Sequence, residues 1–214
     1  MGLSDEQIVE WLERSRDNCA GSIGFYVPSG FPCYVRILHP AQNAGDGSYD
    51  DVTWQEIAQA SGRELTPLST SDDIWAPEEV TGLHVTSPLG WLSERQCAAL
   101  AAILAGQTTT PSECTFLFHG SWSSKPSGEG VTTIQLPESH YVVVRGACSQ
   151  TCGFEVGPSM WWPADGAWFA VTIIDMDYSL VGCSRTAMQA IVDHPAIEAR
   201  PVSRNDPSPG SWAR

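Results

Sequence analysis

The chain has 214 residues, of which 42% are hydrophobic, and its 25 acidic and 11 basic side chains give a formal net charge of −14. This charge repels phosphate backbones and favours basic partners, so we expect no nucleic-acid binding. No apolar run could span a bilayer, and the N-terminal stretch lacks the pattern of an export signal. We therefore expect a cytoplasmic protein without a membrane partner. The length fits one domain over residues 1–203, or two closely packed lobes, followed by a flexible tail over 204–214.

The predicted elements are capped helices and strands rich in β-branched or aromatic residues. Ser4, Thr53 and Ser93 each precede a Glu or Gln by three residues, which is the capping-box pattern of a helix start, and Ser184 can cap a fourth helix. In chain order, we predict a helix after Ser4, strands over 23–27 and 33–38, helices after Thr53 and Ser93, strands over 114–118, 141–144 and 168–174, a helix after Ser184, and a strand over 197–202.

These elements predict an α+β fold, with a mainly antiparallel sheet and about four flanking helices. The regular strand–helix–strand alternation of a doubly wound parallel sheet is absent. Pro28, Ser29 and Gly30 separate the first two predicted strands, and such residues favour a turn. We therefore expect strands 23–27 and 33–38 to form a hairpin.

The cysteines form an odd set of seven: Cys19, Cys33, Cys97, Cys114, Cys148, Cys152 and Cys183. Cys148 and Cys152 are the only close pair, and they could supply half of a zinc site with His140 as a further ligand. An incidental or redox-linked pair is a second interpretation. Ordinary packing cysteines are the favoured one, because no paired CxxC pattern is present. The sequence therefore predicts neither a metal nor a cofactor.

Two carboxylates, Asp175 and Asp177, follow the predicted strand 168–174. Alternation along a strand would direct both to one face, where they could share a cation or shift each other's pKa. Asp165, in the preceding turn, is the candidate third donor of such a catalytic or metal site. The competing interpretation is that Asp175 and Asp177 end the strand and hydrogen-bond the turn that leads to Tyr178.

Cys183 is a candidate nucleophile, because it lies where the short apolar strand 180–181 meets the fourth helix. Cys183 lies at that helix start, and the helix dipole would lower the pKa of its thiol. No histidine or acidic partner can be assigned to it, and Ser184 is explained as a cap. The common catalytic and nucleotide-binding motifs are absent as well, so the sequence favours a binding protein over an enzyme.

Nine tryptophans are many for this length, and three of them flank a Pro-Ala-Asp-Gly turn. Rigid aromatic side chains form recognition surfaces at a low cost in ordering. The candidate binding residues are therefore Trp161, Trp162, Trp168 and Tyr178. The same tryptophans could instead fill a core.

The last quarter of the chain resembles a family of actinobacterial proteins. The residues that carry the resemblance are the WWPAD-x-AW pattern over 161–168, the apolar strand ending in Asp-x-Asp at 175–177, and the helix entry over 181–184, which is similar to Val-Gly-Gly-Ser. The family implies no assigned activity. The chain departs from its pattern at Gly166, where arginine is expected, and at Cys183, where glycine is expected.

Three functions are compatible with these features. The composition favours a non-enzymatic acidic binding protein, of the immunity or antitoxin type, that inhibits a basic partner protein through electrostatic attraction. The first alternative is a small hydrolase or metal-assisted enzyme that uses Asp165, Asp175 and Asp177. The second is a small-molecule-binding accessory protein in which the tryptophans form the walls of a pocket.

Overall fold

The computed structural model of the protein describes residues 3–17, 21–43, 50–75, 85–86, 92–122, 125–128, 130–155, 157–172 and 174–209. Cys19 and the end of the expected tail, 210–214, lie outside these described residues. The helices are α1 (Asp5–Ser15), α2 (Ile23–Tyr26), α3 (Trp54–Ser61), α4 (Ser71–Ile74), α5 (Glu94–Ala105) and α6 (Arg185–Val192), with a 3₁₀ helix at Cys148–Gly153. The strands are β1 (Cys33–Leu38), β2 (Ala41–Asn43), β3 (Asp50–Val52), β4 (Val85–Thr86), β5 (Cys114–His119), β6 (Thr132–Gln135), β7 (His140–Gly146), β8 (Met160–Pro163), β9 (Phe169–Thr172), β10 (Tyr178–Cys183) and β11 (Glu198–Val202).

Eight of these strands form one large sheet, in the order β11-β1-β10-β9-β8-β5-β7-β6. Every neighbouring pair in the sheet is antiparallel. β3, β2 and β4 form a second, smaller antiparallel sheet. The predicted α+β class, with an antiparallel sheet and flanking helices, is confirmed.

Helices cover both faces of the large sheet, and each face has its own hydrophobic core. Along β1, Tyr34 and Leu38 belong to one core and Val35 and Ile37 to the other, because successive strand side chains point to opposite faces. The first core, on what we call the α1 face, also contains side chains of α1, α3 and α4; the second, on the α5 face, contains side chains of α5 and α6. None of the described helices is both long and apolar enough to cross a membrane.

All four predicted helix starts are confirmed. The hydroxyls of Ser4, Thr53 and Ser184 each accept a hydrogen bond from the amide three residues further on. At the start of α5 only half of the capping box forms, because the side chain of Gln96 turns away and donates to the carbonyl of Leu38 at 2.7 Å. This bond connects α5 to β1 of the sheet.

One predicted strand is wrong, since residues 23–26 form the short helix α2. Ile23 and Val27 are both fully buried one helical turn apart, and the amide of Val27 donates to the carbonyl of Ile23 at 3.1 Å. Packing of both side chains into the core outweighs the β propensity of the segment. The predicted hairpin is therefore wrong as well, and β1 pairs with β10 and β11 instead.

The start of the expected tail packs against the core. The hydroxyl of Tyr178 lies 2.6 Å from Oγ of Ser208 and donates to the carbonyl of Pro209 at 3.0 Å. The carbonyls of Arg204 and Asp206 accept hydrogen bonds from amides of α2. Residues 204–209 thus hold α2 against the end of the sheet.

Candidate functional site

A cleft of about 270 Å³ opens on the α1 face, at one end of the large sheet. Its lining comes from β5, β7, β8 and β9, from α2, from the residue after α1, and from the β9–β10 turn. The apolar lining includes Phe25, Met160, Val171, Ile174 and Met176, and the polar lining includes Arg16, Tyr26, His119, Glu138, Tyr141 and Asp175. We call it the His119 cleft. An apolar hollow with a few converging polar groups is the usual form of a small-molecule site.

His119 is the last residue of β5 and lines this cleft. The hydroxyl of Ser121 lies 2.7 Å from Nδ1, and the amide of Ser121 donates to the same nitrogen at 3.4 Å. Because an amide N–H can only donate, Nδ1 is the acceptor and the proton of the neutral ring is on Nε2. Burial and the nearby His140 lower the pKa of His119, while Asp175 acts in the opposite direction. The lowered pKa favours the neutral form of the imidazole.

Asp175 has an unusual backbone conformation. Its φ of 64° lies in the left-handed region, and it is the only non-glycine residue with a positive φ among the described residues. Aspartate tolerates this region better than most residues, yet such a conformation still costs on the order of 1 kcal/mol. The side chain is exposed and lines the cleft. Backbone strain of this kind clusters at ligand-binding and catalytic sites, so it singles out the β9–β10 turn.

Arg16 and Glu138 form a fixed polar wall of the cleft. Nη1 of Arg16 donates to Oε1 of Glu138 at 2.8 Å, and Nε donates to the carbonyl of Leu12 at 3.2 Å. Only 9% of the Arg16 side chain is exposed. Because these charges already satisfy each other, they shape the cleft rather than select a charged ligand.

A chain of buried polar groups leads from the cleft into the sheet. The hydroxyl of Thr172, which lines the cleft, lies 2.8 Å from that of Ser179, and Ser179 Oγ lies 2.9 Å from Nε2 of His39. All three residues are buried. This buried hydrogen-bonded chain supports the end of β9, from which the chain continues into the turn with Asp175.

The three aspartates predicted as a cluster do not come together. Asp165 lies in the β8–β9 turn, whereas Asp175 and Asp177 follow β9, so the strand separates them. Asp175 and Asp177 do not share a strand face either, because β9 ends at Thr172 and the left-handed residue turns the chain. Within the described residues, no group of three His, Cys, Asp or Glu side chains could hold a metal ion.

Asp165 anchors its own turn. Its carboxylate accepts from the hydroxyl of Thr108 at 2.7 Å, from the amide and the hydroxyl of Thr109 at 2.8 Å each, and from the amide of Ala167 at 3.1 Å. Burial raises the pKa of Asp165, but these hydrogen bonds outweigh it and lower the pKa to about 2. The carboxylate therefore connects the β8–β9 turn to the segment after α5.

Asp177 faces the buried guanidinium of Arg36. Burial raises the pKa of Asp177 and Arg36 opposes the rise, with Nη2 3.8 Å from Oδ1. Arg36 also donates to the carbonyls of Pro67 and Ser69 at 3.2 and 2.7 Å, and its guanidinium carbon lies 4.4 Å from the ring centre of Tyr178. These contacts give Asp177 a structural role in the core.

The candidate binding residues Trp161, Trp162, Trp168 and Tyr178 are core residues, and none is more than 3% exposed. The indole of Trp168 donates to the carbonyl of Leu104 in α5 at 2.9 Å, and its ring lies edge-on to that of Trp161. Trp162 packs on the α1 face, and Trp161 and Trp168 pack on the α5 face. The cluster fills both cores instead of forming a recognition surface.

The cysteine candidates are placed in three different environments. Cys183 is fully buried at the end of β10, and burial raises the pKa of its thiol to about 12, opposite to the lowering expected from a helix dipole. His140 begins β7 and Cys148 follows its end, so the two predicted zinc ligands lie at opposite ends of that strand. Cys148 is buried, while Cys152 faces Cys97. Cys148, Cys152 and His140 therefore do not form half of a zinc site.

Sequence reasoning missed the His119 cleft. Its polar wall joins Arg16 to Glu138, which are 122 residues apart, and nothing in local spacing connects them. His119 has no recognisable catalytic context in the sequence. A usable signal in the sequence is Asp175, a candidate for its carboxylate, which lies in the β9–β10 turn and lines the cleft.

Comparison with protein-family models, with curated proteins and with solved structures gives no match to this chain. The resemblance of the last quarter to an actinobacterial family therefore stays a prediction.

Proposed function

We propose that the protein is a non-enzymatic binding protein that holds a small, mostly apolar molecule in the His119 cleft. The observation that carries this proposal is the left-handed Asp175 at an apolar cleft, beside His119, whose Nδ1 already accepts from the amide of Ser121. The surrounding structure must offset the cost of about 1 kcal/mol that a left-handed aspartate carries. The buried network behind Thr172 supplies that support.

The lining indicates the chemistry of the ligand. Met160, Met176 and Val171 give an adaptable apolar floor. The Nε2–H of His119 can donate a hydrogen bond, and the carboxylate of Asp175 can accept one or pair with a cation. The best-matched ligand is a compact molecule with an apolar body and a hydroxyl or amine at one end. A volume of about 270 Å³ suits a ligand slightly smaller than those that fill typical sites of roughly 300–1,000 Å³.

The contacts of His119 leave one ring nitrogen for a ligand. Ser121, whose hydroxyl is nearest to the ring, is only two residues away, and it contacts Nδ1 through both its hydroxyl and its amide. This arrangement fixes the ring within its own turn and leaves Nε2 to act as a donor.

A fragment screen read by thermal shift tests the proposal. The library contains compact aromatic and aliphatic amines and alcohols. A fragment at a hundred times its Kd adds about 2.7 kcal/mol to the free energy of unfolding, which raises the Tm of a chain of this size by roughly 5–10 °C.

Matched variants locate the binding site. Ser139→Trp places a bulky side chain at the lining of the cleft, and Ser149→Trp places the same side chain at an exposed position of the 3₁₀ helix. Fragments should stabilise the wild type and Ser149→Trp but not Ser139→Trp. Equal stabilisation of both variants, or no stabilising fragment, would contradict the proposal.

A basic protein partner is the second candidate. Glu6, Glu10 and Glu13 lie exposed along α1, and they add a local acidic surface to the overall charge of −14. Affinity capture at low and high salt tests this interaction. A stoichiometric basic protein released by salt would support it, whereas no capture or salt-insensitive binding would count against it.

A further inference from the structure

Two cysteines face each other where α5 meets the 3₁₀ helix. Sγ of Cys97, in the first turn of α5, lies 3.4 Å from Sγ of Cys152. Cys152 is exposed, Cys97 is half-buried, and both are free thiols. A cavity of about 330 Å³, lined by both cysteines together with Leu92 and Phe154, opens beside them. The pair is thus accessible to a small molecule in solution.

We propose that Cys97 and Cys152 form a reversible redox site, which low-molecular-weight disulfides oxidise to an intramolecular disulfide. An S–S bond is about 2.05 Å long, so the two sulfur atoms need to approach by only about 1.3 Å. Rotation of the exposed Cys152 side chain can supply much of this movement. The site is independent of the His119 cleft and of its ligand.

The reaction consists of two thiol–disulfide exchanges. The thiolate of Cys152 attacks one sulfur of glutathione disulfide, forms a mixed disulfide, and releases one glutathione thiolate that takes up a proton. Cys97 then loses its proton to solvent, attacks Sγ of Cys152, and releases the second glutathione. Two cysteine thiols are oxidised to one disulfide, and one external disulfide is reduced to two thiols.

The environment of each thiol determines the order of these steps. Burial and the adjacent Cys152 raise the pKa of Cys97, so the exposed Cys152 is the group that attacks first. Cys148 belongs to the same 3₁₀ helix but is buried, with its thiol donating to a backbone carbonyl of α5 at 3.4 Å. Cys33 and Cys183 are neighbours across β1 and β10 and are also buried, so they serve as internal controls.

The experiment uses the wild-type chain in defined mixtures of reduced and oxidised glutathione, quenched with acid and alkylated. Cleavage after arginine and glutamate separates Cys97 from Cys114, because Glu113 lies between them. Mass spectrometry then identifies linked peptides, and fragmentation distinguishes Cys152 from Cys148. The expected result is a Cys97–Cys152 disulfide that reforms two thiols with excess reduced glutathione.

Two variants test the order of the steps. Cys97→Ser should retain glutathione on Cys152, and Cys152→Ser should acquire neither glutathione nor a disulfide at Cys97. The proposal is overturned if Cys97 and Cys152 of the wild type stay reduced, or if the wild type accumulates the mixed disulfide. It is also overturned if Cys152 pairs with a cysteine other than Cys97, or if Cys33 and Cys183 oxidise as readily as Cys97 and Cys152. These outcomes are read on the wild type, so a variant that folds poorly does not obscure them.

Discussion

Replacing Asp175 by glycine should preserve or increase stability while it weakens ligand binding. At a φ of 64°, an L-residue costs about 1–2 kcal/mol, and aspartate costs less than most. Glycine avoids this cost but loses roughly 0.5–1 kcal/mol more chain entropy on folding. We therefore expect Asp175→Gly to be at least as stable as the wild type, and about 1 kcal/mol more stable than Asp175→Ala.

Urea unfolding of the three proteins measures this difference, and thermal unfolding should show it as a Tm separation of about 2–4 °C. Asp193 is the matched control, because it ends α6 with an ordinary φ of −84°. There the order should reverse, with alanine more stable than glycine. Both Asp175 variants should bind a stabilising fragment about tenfold more weakly, because each loses the carboxylate contact.

The reasoning would be refuted if Asp175→Gly were less stable than Asp175→Ala. That result would mean that the left-handed backbone at position 175 imposes no measurable cost on a residue with a Cβ atom. The strain would then be no indicator of a functional site.

Three further predictions concern groups outside the cleft. Asp165→Ala should lower the free energy of unfolding by about 1 kcal/mol at pH 7, a modest loss because solvent screens the exposed carboxylate. Urea unfolding at several pH values measures the difference between the variant and the wild type. This difference should disappear as the pH falls from 3.8 towards 2, where the carboxylate of the folded wild type takes up its proton. Arg36→Met should cost about 2–4 kcal/mol by chemical unfolding, because the carbonyls of Pro67 and Ser69 lose their donor and Asp177 loses its partner. A loss below about 1 kcal/mol would contradict this. Burial raises the pKa of Glu198, so the folded state binds the proton of this carboxyl more tightly than the unfolded state does. The free energy of unfolding of the wild type, relative to that of Glu198→Gln, should therefore fall as the pH rises above 4.5. A rise over this pH range would contradict a raised pKa of Glu198.

The helix starts could be predicted from the sequence because their determinants are local. The hydroxyls of Ser4, Thr53 and Ser184 need only an amide three residues away. The helical conformation of α2 could not be predicted, because the amide of Ile23 donates to the carbonyl of Asp206, near the other end of the chain. A contact so distant in sequence leaves no periodic signal in the segment itself.

The candidate site was not predictable for related reasons. Composition identified Trp161, Trp162 and Trp168 as unusual, but a pattern of aromatic residues does not distinguish a core from an exposed surface. Alternation predicts Asp175 and Asp177 on one face, but β9 ends at Thr172 and Asp175 adopts a left-handed conformation in the turn that follows. The cleft itself depends on strand order in the sheet, which no local rule supplies.

Methionine methyl NMR tests the binding proposal most directly. Met160 and Met176 line the His119 cleft, whereas Met188 lies on α6, against the core of the opposite face of the sheet. Titration of the labelled wild type with a stabilising fragment should shift the methyl signals of Met160 and Met176 in a saturable way and leave that of Met188 unchanged. Binding that shifts Met188 instead, or leaves both cleft methionines unmoved, would contradict a ligand site in the cleft.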